Sequence, residues 1–206
     1  MNSRLSVIAL FALFATISAQ SYQYYVLAVE WAPTVCQSNS CSEEGASHWW
    51  NMHGLWPSGG SNYENCGDEF NENSITQSTL NDMQTYWSGL YTPGESFWEH
   101  EYDKHGSCFV GPNGQKGDEA FFSTALSVAQ QADIYGALSS AGIVPGNSYD
   151  AHDIINAIHK SFGYSGFACQ KGAIQQIEIC LDLNFNYIDC SGTGNTCSGT
   201  VNYPSN

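Results

Sequence analysis

Tyr24 to Trp31 reads YYVLAVEW, apolar at all but one position and rich in β-formers. A run this short and this apolar predicts a strand buried on both faces. Near the other end of the chain, Ala173 to Leu183 (AIQQIEICLDL) sets Ile174, Ile177 and Ile179 among polar residues and reads as a second strand. Phe185 to Cys190 follows as its neighbour. Between these ends the spacing turns helical. Leu80, Met83 and Trp87 predict a helix over Ser78–Leu90, closed by Pro93-Gly94. Ser96 with Glu99 three positions on forms a capping box, predicting a helix from there to His105, ended by Gly106. Two more helices are expected over Asp118–Leu138 and Ser148–Ser161. Strands at both ends with helices between define a single α+β domain, a central antiparallel sheet with flanking helices.

The 206 residues suffice for one core, and no repeat or linker divides them. Arg4, an apolar run from Leu5 to Ile17 and the small pair Ser18-Ala19 form a secretory signal peptide, residues 1–19, ahead of a domain over 20–206. The run is shorter than the roughly 20 residues a membrane helix needs. No membrane partner is therefore expected. Eight cysteines behind such a leader mean disulfides, since the secretory route is oxidising. Zinc is the rival reading, but no Cys-x2-Cys knuckle appears.

Twenty acidic residues against five basic ones give a net charge of −15. Leader removal takes the only arginine and leaves −16. A protein that grips nucleic acid by a broad basic face is excluded. Brief contact at one small site is not.

Reactive groups concentrate in His53-Gly54-Leu55-Trp56-Pro57 and in Phe97 to Cys108 (FWEHEYDKHGSC). Glu101 and His105, four apart, share a helix face, and His100 and Lys104 share the next. His100 and His105 lie about 140° apart around a helix and do not converge on a metal. The zinc-protease spacing is missing, so neither a metal nor another cofactor is expected. No Gly-x-Ser-x-Gly elbow is present for a serine hydrolase. A carboxylate-pair glycosidase remains open but leaves the histidines without a task. Two imidazoles, an ammonium and a carboxylate suit cleavage of a phosphodiester beside a 2′-hydroxyl. One imidazole would take the hydroxyl proton, the other would protonate the departing 5′-oxygen, and Lys104 would offset charge on phosphorus. That chemistry cuts RNA and spares DNA.

HGLWP and FWEHEYDKHGSC resemble the two signature segments of the ribonuclease T2 family, the second of which usually reads FWxHExxKHGxC. The likeness extends to Trp31–Cys36 and to the IEIC stretch at Ile177–Cys180. It implies a secreted or lysosomal endoribonuclease, a monomer that cleaves single-stranded RNA through a 2′,3′-cyclic phosphate without metal. It further implies His105 as general base and His53 as general acid. Lys104 and Glu101 would stabilise the intermediate, and His100 would bind phosphate. Trp56, Tyr63 and Phe97 are expected to contact bases, whereas Trp49, Trp50, Trp87 and Trp98 are expected in the core. His48, His152 and His159 match no signature position, and His159 is expected to face solvent or a polar neighbour. The likeness also implies the pairs Cys36–Cys41, Cys66–Cys108, Cys180–Cys190 and Cys169–Cys197. The chain departs from the pattern at Glu30, where many members carry Gln, and at Ser58, where many carry Asp. No base preference is carried over. Two rivals stand beside this reading: a secreted binding protein of the same fold without catalysis, and the glycosidase.

A charge of −16 repels RNA at neutral pH, so an acidic optimum is expected. Glu101 and the helix C-terminus are expected to raise the pKa of His105.

Overall fold

The computed structural model describes residues 22–41, 50–61, 63–92, 94–191 and 193–205. The leader, His48 and Trp49 lie outside them. The first predicted strand forms over its whole length as β1, Tyr24–Trp31. It pairs antiparallel on one side with β2, Trp50–Ser58, and on the other with β5, Ala173–Leu181. Across β5 lie β4 (Gly166–Gln170), the two-residue β6 (Tyr187–Ile188) and β7 (Thr200–Tyr203). β3, Asn147–Asp150, closes that side against β7. The result is a seven-stranded sheet, antiparallel apart from the contact of Ala173 with Asn202.

The helices are α1 (Ala32–Ser38), α2 (Gln77–Tyr86), α3 (Gly94–Lys104), α4 (Asp118–Gln131), α5 (Ile134–Ser140) and α6 (Ala151–Phe162). α1 was not expected, and α2 ends at Tyr86, four residues short of the expected Leu90. Three further departures each have a local reason. α3 starts at Gly94, which lies under the Trp98 ring, so Ser96 sits inside the first turn rather than capping it. The span over Asp118–Leu138 breaks in two because the Asp133 side chain accepts from the Gly136 amide at 2.7 Å and starts a new helix. Asp150 likewise caps α6 through the His152 amide at 2.8 Å, leaving Ser148 in a strand. Gly163, at φ 79°, ends that helix as only glycine does freely.

β1 alternates between two packed faces. Tyr25, Leu27, Val29 and Trp31 enter the main core with Trp87 and Trp98, and with Phe121 and Phe122 of α4. Val26 joins a smaller cluster with Cys180, Cys190 and Trp56. Four disulfides are present: Cys36–Cys41, Cys66–Cys108, Cys169–Cys197 and Cys180–Cys190. Among the described residues, no helix is long and apolar enough to cross a membrane.

Candidate active site

HGLWP lies on β2, an edge strand, and its histidine owes its position to a break in register. Ala28 pairs with Gly54 and Val29 with Met52, which leaves His53 as the extra residue of a β-bulge. Bulges re-aim a side chain without ending the strand. The His53 carbonyl accepts from Trp87 Nε1 at 2.7 Å, and the Trp87 carbonyl accepts from Trp98 Nε1 at 2.7 Å. The bulge is thereby tied to α3. The His53 ring stacks on Phe97, centroids 5.9 Å apart, and meets Trp56 edge-on at 5.1 Å.

Trp56 joins the two signature segments. Its ring lies 5.5 Å from that of His105, and its Nε1 donates to Glu101 Oε2 at 2.9 Å. The approach of Glu101 depends on Gly54. A Cβ there would collide with Glu101 Oε2 and Trp56 Nε1. Gly54→Ala should therefore break the Trp56–Glu101 bond and cost at least about tenfold in kcat, because small misplacements of catalytic groups are expensive. Steady-state rates with circular dichroism as the folding control check this. Wild-type kcat in a folded variant would contradict it.

Glu101 and His105 are both buried, at 2% and 5% exposure. Burial raises the Glu101 carboxyl above the ordinary range, with His53, the Trp56 bond, His100 and Lys104 pulling it back. His105 shifts opposite to the sequence expectation. Burial first, then Lys104, His100 and His53, lower it to about 3. The expected partner, Glu101, is turned towards the indole instead. An NMR titration of the His105 ring should accordingly find it neutral down to roughly pH 3–4. A midpoint above 6.5 would contradict the burial argument.

Lys104 closes α3 and is half-exposed. Glu64, from the loop after β2, reaches 3.9 Å from Lys104 Nζ and 4.0 Å from His105 Nδ1, an atom otherwise without a partner. That loop is clamped to the end of α3 by Cys66–Cys108, by the Asn65 amide to the Lys104 carbonyl at 2.8 Å, and by Tyr102 to Asp68 at 2.7 Å.

The structure thus gathers His53, Trp56, Phe97, Glu101, Lys104 and His105. His100 is exposed on α3, and Tyr63 is half-buried against the main core. Trp87 and Trp98 are buried in that core and Trp50 packs on it. His159 is half-exposed, 3.9 Å from Asp189. Sequence reasoning missed Glu64, Gln176 and Glu178. Glu64 comes from a loop and Gln176 and Glu178 from β5, where the IEIC likeness assigned them no role, and only the paired strands show that Gln176 faces Glu30. Among the described residues, no group of three or more His, Cys, Asp or Glu side chains could hold a metal ion.

A buried imidazole and a half-buried one, each against the Trp56 ring, are groups suited to moving protons. Comparison with known proteins says to which class the chain belongs. The Ribonuclease T2 family model matches residues 22–190, and the chain belongs to that family. It is 34% identical over 193 residues to Ribonuclease DdI of Dictyostelium discoideum, covering 89% of this chain and 85% of that one. Extracellular ribonuclease LE of Solanum lycopersicum is 30% identical over 208 residues, covering 91% and 89%. Among solved structures, RNase NT in complex with 5′-AMP superposes with a TM-score of 0.75 at 26% identity, over 90% of this chain and 99% of that one. The protein is a ribonuclease, and its substrate is RNA.

Proposed function

We propose that this is a metal-independent endoribonuclease, cutting single-stranded RNA by transphosphorylation to a 2′,3′-cyclic phosphate and then hydrolysis to a 3′-phosphate end. His105 takes the 2′-hydroxyl proton. The observation that carries this is the burial of the His105 ring, 5% exposed against the Trp56 indole, since burial disfavours the charged form of an imidazole. His53 protonates the departing 5′-oxygen, and the two exchange tasks in the hydrolytic step. Lys104 faces the charge that collects on phosphorus, with Glu101 beside it, and His100 binds a neighbouring phosphate. Glu64 occupies the place beside Lys104 that a substrate phosphate would take. Phe97, Trp56 and Tyr63 offer ring faces for bases, with Trp56 also spacing the two imidazoles. DNA lacks the internal nucleophile and is spared.

The chain acts as an exported monomer after cleavage behind Ala19, in an acidic vesicle or outside the cell. Acid is favourable on two grounds. A general acid must carry a proton, and protonation of carboxylates relieves the repulsion between RNA and a chain of net charge −16. Activity on single-stranded RNA should therefore be several-fold higher at pH 5 than at pH 8. Equal or greater activity at pH 8 would overturn this.

The direct test is incubation of the mature protein with homopolymeric RNAs and a chelator at pH 5, with end-group analysis. Cyclic-phosphate ends support the proposal. Intact RNA with retained binding would favour the non-catalytic binding protein, and loss of activity to chelator would require a metal.

A further inference from the structure

On the sheet face that carries His53, one group has no part in the steps above. Glu30 is 8% exposed, opposite Gln176 in the register of β1 with β5. Its Oε1 lies 3.5 Å from His53 Nδ1, and Gln176 Oε1 lies 2.9 Å from the same nitrogen. Which way the Gln176 amide points is decided one step further along. Its Nε2 donates to Glu178 Oε1 at 2.8 Å, so its carbonyl oxygen is the atom turned to the imidazole. A carbonyl oxygen only accepts, so Nδ1 is the donor and carries hydrogen. Nε2 is then the nitrogen left to gain or lose the working proton.

We propose that Glu30 is a positioning residue for His53, its carboxylate and the Gln176 carbonyl together fixing the ring and stabilising its protonated form. This rests on the reading of His53 as general acid. An amide can orient a ring, but only the carboxylate opposes an imidazolium charge. The other groups facing His53 are Glu101 and His105 from the α3 side, Trp56 on its own strand, and Phe97. The two histidines disfavour each other's charge, and Glu101 is held towards Trp56. Glu30 is therefore the carboxylate nearest Nδ1. Burial raises the Glu30 carboxyl, and the His53 charge works against that shift. The support Glu30 gives ends once it takes a proton itself.

The test is Glu30→Gln, which keeps shape and removes charge, followed through the pH dependence of kcat/KM on a homopolymeric RNA. The alkaline limb should move to lower pH by about one unit, as loss of an opposite charge at this range implies. The loss in kcat should be about tenfold at neutral pH and should vanish near pH 4. KM should change less than twofold. The His53 ring resonances should shift their titration in the same direction, a readout that needs no turnover. If Glu30→Gln proves unfolded, Glu30→Asp serves, with a smaller shift in the same direction. A profile superimposed on wild type, or a change confined to the ratio of rates on different homopolymers, overturns the inference. Should Glu30→Gln leave the profile unmoved while His53→Ala is inactive, the catalytic reading stands and only the role of Glu30 falls. Full activity in His53→Ala would sink the catalytic reading itself, and the ring titration would still decide the pairing.

Discussion

His53→Ala and His105→Ala should each lower kcat on single-stranded RNA by about 10²–10⁴-fold at pH 5, the range spanned by removal of a general acid or base. The two losses do not multiply. Base and acid serve the same transfer, so the double variant should be little worse than the poorer single one. Neither change should unfold the protein. His53 is half-buried at the edge of the sheet, and the bond that ties its bulge uses the backbone carbonyl, which Ala retains. His105 is buried, but its Nδ1 has no hydrogen-bond partner, so truncation removes an unsatisfied polar atom along with packing. Stability should change by about 1 kcal/mol, or roughly 2–4 °C in Tm for a domain of this size. A folded variant keeping a tenth of wild-type kcat would contradict the assignment of that histidine.

Removing the Cys66–Cys108 bridge has the largest expected effect on stability. It closes a separation of 42 residues, for which chain entropy gives about 4 kcal/mol. That corresponds to roughly 8–16 °C in Tm. Activity should fall with it. The bridge pins the Glu64-bearing loop to the end of α3, where Lys104 and His105 lie, and the Asn65 amide bonds the Lys104 carbonyl. Cys36–Cys41 is the internal control. Its separation is 5, worth about 2 kcal/mol on the same reasoning, and it joins Cys36 of α1 to Cys41, which packs on Ala32, Val35 and Leu90 rather than on the Glu64-bearing loop. Paired Cys→Ala variants compared by calorimetry and by rate should separate the two bridges. Equal losses of stability, or full activity without Cys66–Cys108, would contradict the account.

What the sequence made legible follows from how local each signal is. YYVLAVEW announces β1 because a strand buried on both faces needs apolar residues on both. β2 gives no such sign. His53-Gly54 and Pro57 interrupt it, and its bulge exists only through pairing with β1. The capping box at Ser96 was outvoted by a helix that could start earlier at Gly94, and Asp133 proved a stronger helix start than the apolar pattern running through it. At the site, the two motifs name the reactive residues but not their surroundings. Proximity to Glu101 along the helix suggests a raised His105, yet the carboxylate turns to the indole and burial sets the opposite direction. Gln176 and Glu178 could not be found from sequence, because what draws them to His53 is the order of strands in the sheet.

One measurement reaches the central claim directly: that two imidazoles act on a phosphodiester whose attacking oxygen belongs to the substrate. An RNA oligonucleotide carrying a single 2′-O-methyl group at a position otherwise cut is digested at pH 5, and every product is mapped. The account predicts that cleavage vanishes at the linkage 3′ to the blocked sugar and persists elsewhere at its usual rate. Cutting at that linkage would mean that water or a protein group attacks phosphorus first, and would contradict the account.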